Sequence, residues 1–227
     1  MKTVTRRMKK RQVSDTLGIG MLLALAGGFL DIYSYLARGK VFANAQTGNM
    51  VLLGVNIAER NMKGAFYYLI PICAFVIGII LSQIIKDRFK ENQQIHWRQI
   101  TVAIEAVVLF VVMFIPQGYF NMIANVCISF VCSMQVQSFR KVHGNVYATT
   151  MCTGNLRSAT EQLCSYRITK DRKNLKKSLQ YYLIILIFIV GAIVGAFFTE
   201  ILDEKAVGLV SLILIVVFLL MFYKQEN

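Results

Sequence analysis

The chain has 227 residues, 56% of them hydrophobic and 16% charged, with a net charge of +13 and a mean hydropathy of +0.54. That balance excludes an ordinary soluble domain, because the apolar residues gather in blocks of about 20, the length that crosses a hydrocarbon core ~30 Å thick. The basic excess does not point to nucleic acid: Lys and Arg fall between the apolar blocks rather than along one polar face, as they do in cytoplasmic loops.

The basic tail Lys2–Arg11 suits contact with anionic lipid headgroups. The first apolar block, Leu17–Ala37, begins like a signal peptide, and Leu23–Ala26 has the composition of a cleavage region. The apolar run continues past Gly28 to Leu36, so it reads as an uncleaved first span. Five further blocks read as spans: Ala65–Ile85, Trp97–Phe114, Phe120–Phe139, Leu179–Thr199 and Ala206–Phe222. The last is almost wholly apolar and is expected to face lipid.

Two segments, Thr47–Ala58 and Thr153–Tyr166, are shorter and more polar. Each is either an extra span, giving eight, or a re-entrant half-helix that enters and leaves on one side. Loop charge favours six spans plus two re-entrant segments, an all-α membrane bundle with both termini inside. The cytoplasmic segments then collect six Lys and Arg in the tail, four in Lys86–Arg98, nine in Arg140–Lys177, and Lys224. Outside remain Arg38, Lys40, Arg60, Lys63 and Lys205. Eight spans would put the basic Lys86–Arg98 loop outside and the uncharged Pro116–Tyr119 loop inside.

The short segments resemble each other. Gly39–Met50 and Gly144–Leu156 share a glycine, an apolar–aromatic–Ala triplet and Thr-Gly-Asn, with one residue inserted in the second. Each half, about residues 14–115 and 119–224, reads as one span, a Thr-Gly-Asn segment, then two spans. Three spans per half make the second copy upside down, the inverted repeat found in many transporters.

Thr47 and Thr153 are expected to cap short helices that start at mid-membrane, with Gly48 and Gly154 leaving room for backbone or solute. Two helix N-termini would then face each other with free N–H groups and partial positive charge, a setting for anions or polar atoms. Asn49, Asn155, Gln46 and Thr150 are the expected lining groups. The alternative is an ordinary cap near the interface, with repetition left by gene duplication.

Asp31 and Glu105 lie inside spans, where a carboxylate costs on the order of 3 kcal/mol on insertion scales. Proton coupling would use such groups. The bland alternatives are an Asp31–Arg38 pair near the outer interface and a neutral hydrogen-bonded Glu105. Arg157 and Glu161 share a helix face, so Arg157 either holds an anionic substrate or simply pairs with Glu161. Gln135, Gln137 and Asn125 are candidates to line a path. Gly191 and Gly195 form a small-xxx-small pattern for packing within the chain or between copies.

The five Cys show no CxxC or zinc spacing, and the chain lacks HExxH, GxSxG and Walker A patterns. No metal, cofactor or enzyme activity is expected.

Gly27-Gly-Phe-Leu-Asp31, Val41-Phe-Ala43 and Thr47-Gly-Asn-Met-Val-Leu-Leu-Gly54 resemble the YoaK-like family of bacterial membrane proteins, a domain of unknown function. The resemblance implies a small bacterial inner-membrane protein of about six spans, without a substrate. The expected function is a transporter or channel for a small polar or anionic solute. Its expected site is Asp31, Thr47, Gly48, Asn49, Glu105, Thr153, Gly154, Asn155 and Arg157. The alternative is a membrane protein that binds or regulates a partner.

Overall fold

A computed structural model describes residues 16–89, 97–142, 145–146 and 152–223. Thr150 and the Asn92 loop fall outside them. The described chain is helical: α1 (Leu17–Ala37), α2 (Gln46–Ala58), α3 (Met62–Phe89), α4 (Trp97–Val112), α5 (Asn121–Ser138), α6 (Cys152–Thr169), α7 (Arg172–Leu202) and α8 (Val207–Tyr223). A one-turn 3-10 helix, Asp203–Ala206, joins α7 to α8, and a two-residue antiparallel pair links Lys141–Val142 with Asn145–Val146.

The helices follow the apolar blocks, with ends moved by local chemistry. The block expected to start at Leu179 begins as a helix at Arg172, because Asp171 caps it by accepting the Lys173 N–H at 2.9 Å. Its first two turns carry Lys173, Lys176 and Lys177, long side chains that reach past an apolar boundary. By length and composition, Leu17–Ala37, Met62–Phe89 and the Arg172–Phe222 stretch are apolar enough to cross a membrane.

Side-chain bonds fix which helix ends lie together. At one end, Arg38 at the close of α1 donates to the carbonyls of Val112 and Pro116 beyond α4, and to Asn121 Oδ1 at the start of α5. Tyr67, early in α3, donates to the Arg38 carbonyl, and Tyr33 donates to the Glu204 carbonyl between α7 and α8. At the other end, Ser138 of α5 meets Ser82 of α3 and Thr101 of α4, and Arg98 donates to the Ser138 carbonyl. Helices α1, α3, α4, α5, α7 and α8 therefore alternate in direction along the chain.

Packing runs in one order, α6–α7–α1–α8–α4–α5–α3–α2, with α1–α5 and α3–α4 also touching, the latter without an α7–α8 counterpart of the same extent. Exchanging α1 with α5, α2 with α6, α3 with α7 and α4 with α8 maps this order onto itself. Close approach in the two equivalent pairs relies on glycine. A methyl on Gly191 would strike the Leu25 backbone of α1, and one on Gly78 would strike Phe130 of α5. Gly28 lies equally tight against Phe188. The Gly191/Gly195 pattern thus serves packing within the chain.

The main apolar cluster joins α1, α4, α5 and α8 through Leu23, Phe29, Leu109, Ile128, Val210 and Leu214. This corrects the expectation that α8 faces only lipid: one of its faces, Val207, Val210, Leu214, Val217 and Met221, is buried, and Ser211 donates to the Ala106 carbonyl at 2.7 Å. A uniformly apolar helix gives no periodicity from which to read that face.

Candidate functional site

After α1 the chain doubles back. Gly39 and Lys40, both at positive φ, turn it, and the extended stretch to Ala45 runs along α1. The Asn44 side chain then donates to the Gly27 carbonyl at 3.3 Å, at the midpoint of α1. That point lies about 15 Å from the end of α1, at 1.5 Å per residue. Here α2 starts and runs outward again to Ala58.

The turn into α2 is built on Asp31. Its Oδ1 accepts the backbone N–H groups of Asn44 at 2.7 Å and Ala45 at 3.4 Å. Ser34 Oγ accepts the Ala43 N–H. A carboxylate of the chain itself thus sits at the positive end of α2. Asn49, wholly buried, accepts the Phe42 N–H at 3.0 Å and donates to the Phe42 carbonyl at 2.7 Å and to Gln46 Oε1 at 2.9 Å. Asn49 therefore locks the strand-like approach to the first turn of the helix. Gln46 in turn donates to the Ala43 carbonyl and reaches Ser129 of α5.

Thr47 does not cap α2. The helix begins one residue earlier, with Ala45 in the cap position and no side-chain cap, and Thr47 is exposed. Asp31 instead holds the turn before the helix, through the Asn44 and Ala45 N–H groups. Gly48 lies against the Phe42 ring, which itself stacks on Tyr35.

The second copy is laid out similarly along α7. Ser178 donates to the Ala159 carbonyl at 2.8 Å, and Thr160 meets the Tyr182 hydroxyl at 3.2 Å, so α6 runs antiparallel to the first half of α7. Continuing that register puts Cys152, the first residue of α6, near Phe188, which packs on Gly28 of α1. The 13-residue α2 and the 18-residue α6 therefore begin near the same height along α1.

The first turn of α6 buries Asn155 and exposes Thr153 and Gly154. Arg157 does not reach the carboxylates: its Nε donates to Glu161 at 2.8 Å, and both side chains are exposed, at 80% and 57%. The exposed face of α6 continues through Thr160 and Ser165. On α2 the corresponding exposed residues are Met50, Val51, Val55 and Ile57. Helices α2 and α6 differ in what they present.

Glu105 is wholly buried at mid-α4, and its Oε1 has no hydrogen-bond partner. Gln137 donates to Gln83, Gln135 to the Leu23 carbonyl and Asn125 to the Arg38 carbonyl, so these three tie helices together.

Arg38 is the residue whose role the sequence did not reveal. It is fully buried, faces Tyr33 rather than Asp31, and spends its guanidinium on Tyr33 Oη, two carbonyls at the end of α4 and Asn121. A cation at helix C-terminal carbonyls meets the negative end of the helix dipole. Its position at the end of an apolar block looks like an external loop residue, and only the tertiary fold reveals the burial.

Residues 19–220 match the family described as "Protein of unknown function (DUF1275)". The chain is similar to the "UPF0700 transmembrane protein YoaK" of Bacillus subtilis (strain 168), 28% identical over 182 residues, which cover 77% of this chain and 80% of that protein. No solved structure matches it. With this match across most of its length and its apolar helices, the chain is a membrane protein and belongs to the YoaK-like DUF1275 family.

Proposed function

We propose that this protein is a transporter or channel for a small polar or anionic solute in the bacterial inner membrane. In this reading six helices span the bilayer, both termini are cytoplasmic, and α2 and α6 are re-entrant half-helices related by an inverted repeat of residues 14–115 and 119–224. The observation that carries it is the start of both α2 and α6 near the mid-height of α1, where Asp31 Oδ1 holds the turn into α2. Irregular backbone at that depth is tolerable only where it is buried or lines a wet cavity. Broken helices meeting at the midplane are how many transporters build a solute site.

The packing order that maps onto itself supports the repeat. The alternating helix directions support the inversion. Access is asymmetric. The end holding Arg38 is tied across α1, α3, α4 and α5, whereas the polar face of α6 lies open toward the end that carries the basic loops. Lipid cannot solvate Arg157, Glu161, Thr153 and Thr160, so this face suits a water-filled entrance from the cytoplasm or a contact with a second copy. The solute then meets the N-terminus of α6, where Thr153, Gly154 and Asn155 are the recognition groups. The N-terminus of α2 already holds Asp31. No enzymatic step, nucleic acid or cofactor enters this reading.

The test is flux into proteoliposomes of the purified chain across a panel of small polar and anionic solutes. Uptake above protein-free vesicles, reduced at least tenfold by Thr153→Val or Gly154→Leu in folded protein, is the expected result. Absence of flux across the whole panel contradicts the proposal.

A further inference from the structure

The elbow between α6 and α7 concentrates positive charge. From Arg167 to Lys177 it has six Lys and Arg against one Asp. All six are exposed. The neighbouring carboxylates are engaged elsewhere: Asp171 caps α7 on the Lys173 N–H, and Glu161 pairs with Arg157. Among the described residues, no carboxylate pairs with any of the six. The elbow between α2 and α3 has only Arg60 and Lys63, against Glu59. The charge therefore belongs to this elbow and not to the repeated architecture.

Its placement on the helix gives the charge a direction. Ser178 turns toward α6, where it donates to the Ala159 carbonyl. At about 100° per residue, Arg172, Lys173, Lys176 and Lys177 fill an arc of roughly 140° on the opposite side of α7. Arg172 and Lys176 line up, at helical spacing, with Leu179, Leu186, Val190, Phe197 and Ile201, all exposed. The apolar stripe from Leu179 to Ile201 is ~33 Å long at 1.5 Å per residue, close to the ~30 Å hydrocarbon core. One face of α7 thus passes from cations to an apolar surface of bilayer length. That is the order of head and tail in a phospholipid lying against the helix. The cations also stand at the positive end of the α7 dipole, where like charge is unfavourable. A negative counter-charge from outside the chain would offset both their mutual repulsion and the dipole.

We propose that this face of the α6–α7 elbow binds the phosphate headgroups of anionic phospholipids. Arg172, Lys173, Lys176 and Lys177 are the contact groups, and the acyl chains follow Leu179 and Leu186. Basic clusters just outside a spanning helix attract anionic lipid in this way. A soluble acidic protein would use the cations and leave the apolar stripe without a role, so the stripe favours lipid. Bound lipid would hold the start of α7 at a fixed depth, and with it α6, which is tied to α7 through Ser178 and Thr160. The inference rests on α7 crossing a bilayer and is independent of solute movement.

The test uses the full chain on a Cys-free background, with a fluorophore attached at Gln180→Cys, partly exposed beside the cations. The chain is placed in phosphatidylcholine vesicles, and quenching by brominated phosphatidylglycerol is compared with quenching by brominated phosphatidylcholine. The expected result is a preference for phosphatidylglycerol of about fivefold or more at low salt, weakened by high salt. It should fall to near one when Arg172, Lys173, Lys176 and Lys177 are all changed to Gln. The same change at Arg6, Arg7, Lys9 and Lys10 in the tail should leave it intact. Should the four-Gln chain fail to fold, the pairs Arg172/Lys173 and Lys176/Lys177 are changed separately, and each should at least halve the preference. Equal quenching by the two lipids in the unsubstituted elbow overturns the proposal. So does a preference that survives the elbow changes or is lost with the tail changes.

Discussion

Single residues in this bundle carry work that their types do not announce. Arg38 joins four elements through one guanidinium and one carbonyl. Replacing it by Met leaves the Val112 and Pro116 carbonyls and Asn121 without their donor in a buried setting. Arg38→Met is expected to cost about 3 kcal/mol, because hydrogen bonds to a buried charge are individually worth ~1.5–3 kcal/mol. Thermal unfolding in detergent should show a clear drop in Tm; an unchanged Tm would mean that the knot holds nothing. Glycines divide in the same way. Gly191→Leu drives a side chain into the Leu25 backbone and should destabilise by at least ~1–3 kcal/mol. Gly54→Ala, in the middle of α2 with open space around it, should be neutral or stabilise by roughly 0.5–1 kcal/mol. The same unfolding assay checks both, and equal effects would refute the packing argument.

At the scale of elements, much was legible from the sequence. The first helix lies where its apolar run begins and ends, and the short polar segments are separate helices. Both Thr-Gly-Asn stretches fall inside first turns, so neither Thr47 nor Thr153 is the expected cap: α2 begins at Gln46 and α6 at Cys152. What was not legible depended on tertiary partners. Thr47 was read as the cap because hydroxyls commonly cap helices, and the turn is instead held by Asp31 from another helix. The buried face of α8 left no trace in a run with no polar contrast. The exposed pair Arg157–Glu161 was visible as an i, i+4 spacing, and it is that pair which forms. The difference between the two short helices gives a prediction at this scale. On a Cys-free background, Thr153→Cys and Thr160→Cys should react with a membrane-impermeant thiol reagent applied from the cytoplasmic side. Val55→Cys and Ile77→Cys, on apolar exposed faces, should not. Equal protection of all four would remove the water-filled entrance along α6.

For the whole molecule, the packing order and the helix directions argue for one design used twice. The pairs α1–α7 and α5–α3 are equivalent under exchange of halves, each tightened by a glycine of the second helix. The two halves differ in chemistry: α2 starts on a carboxylate of its own chain, and α6 opens a polar face. All of it depends on two short helices returning to the side from which their chain came. Cysteine accessibility at Asn92, Gly118 and Asn174, one at a time on a Cys-free background, tests that claim most directly. The account predicts that Asn92→Cys and Asn174→Cys react only from the cytoplasm and Gly118→Cys only from outside. Reaction of Asn92→Cys from outside and of Gly118→Cys from the cytoplasm would contradict it, because the short helices would then cross the membrane and the midplane site would not exist.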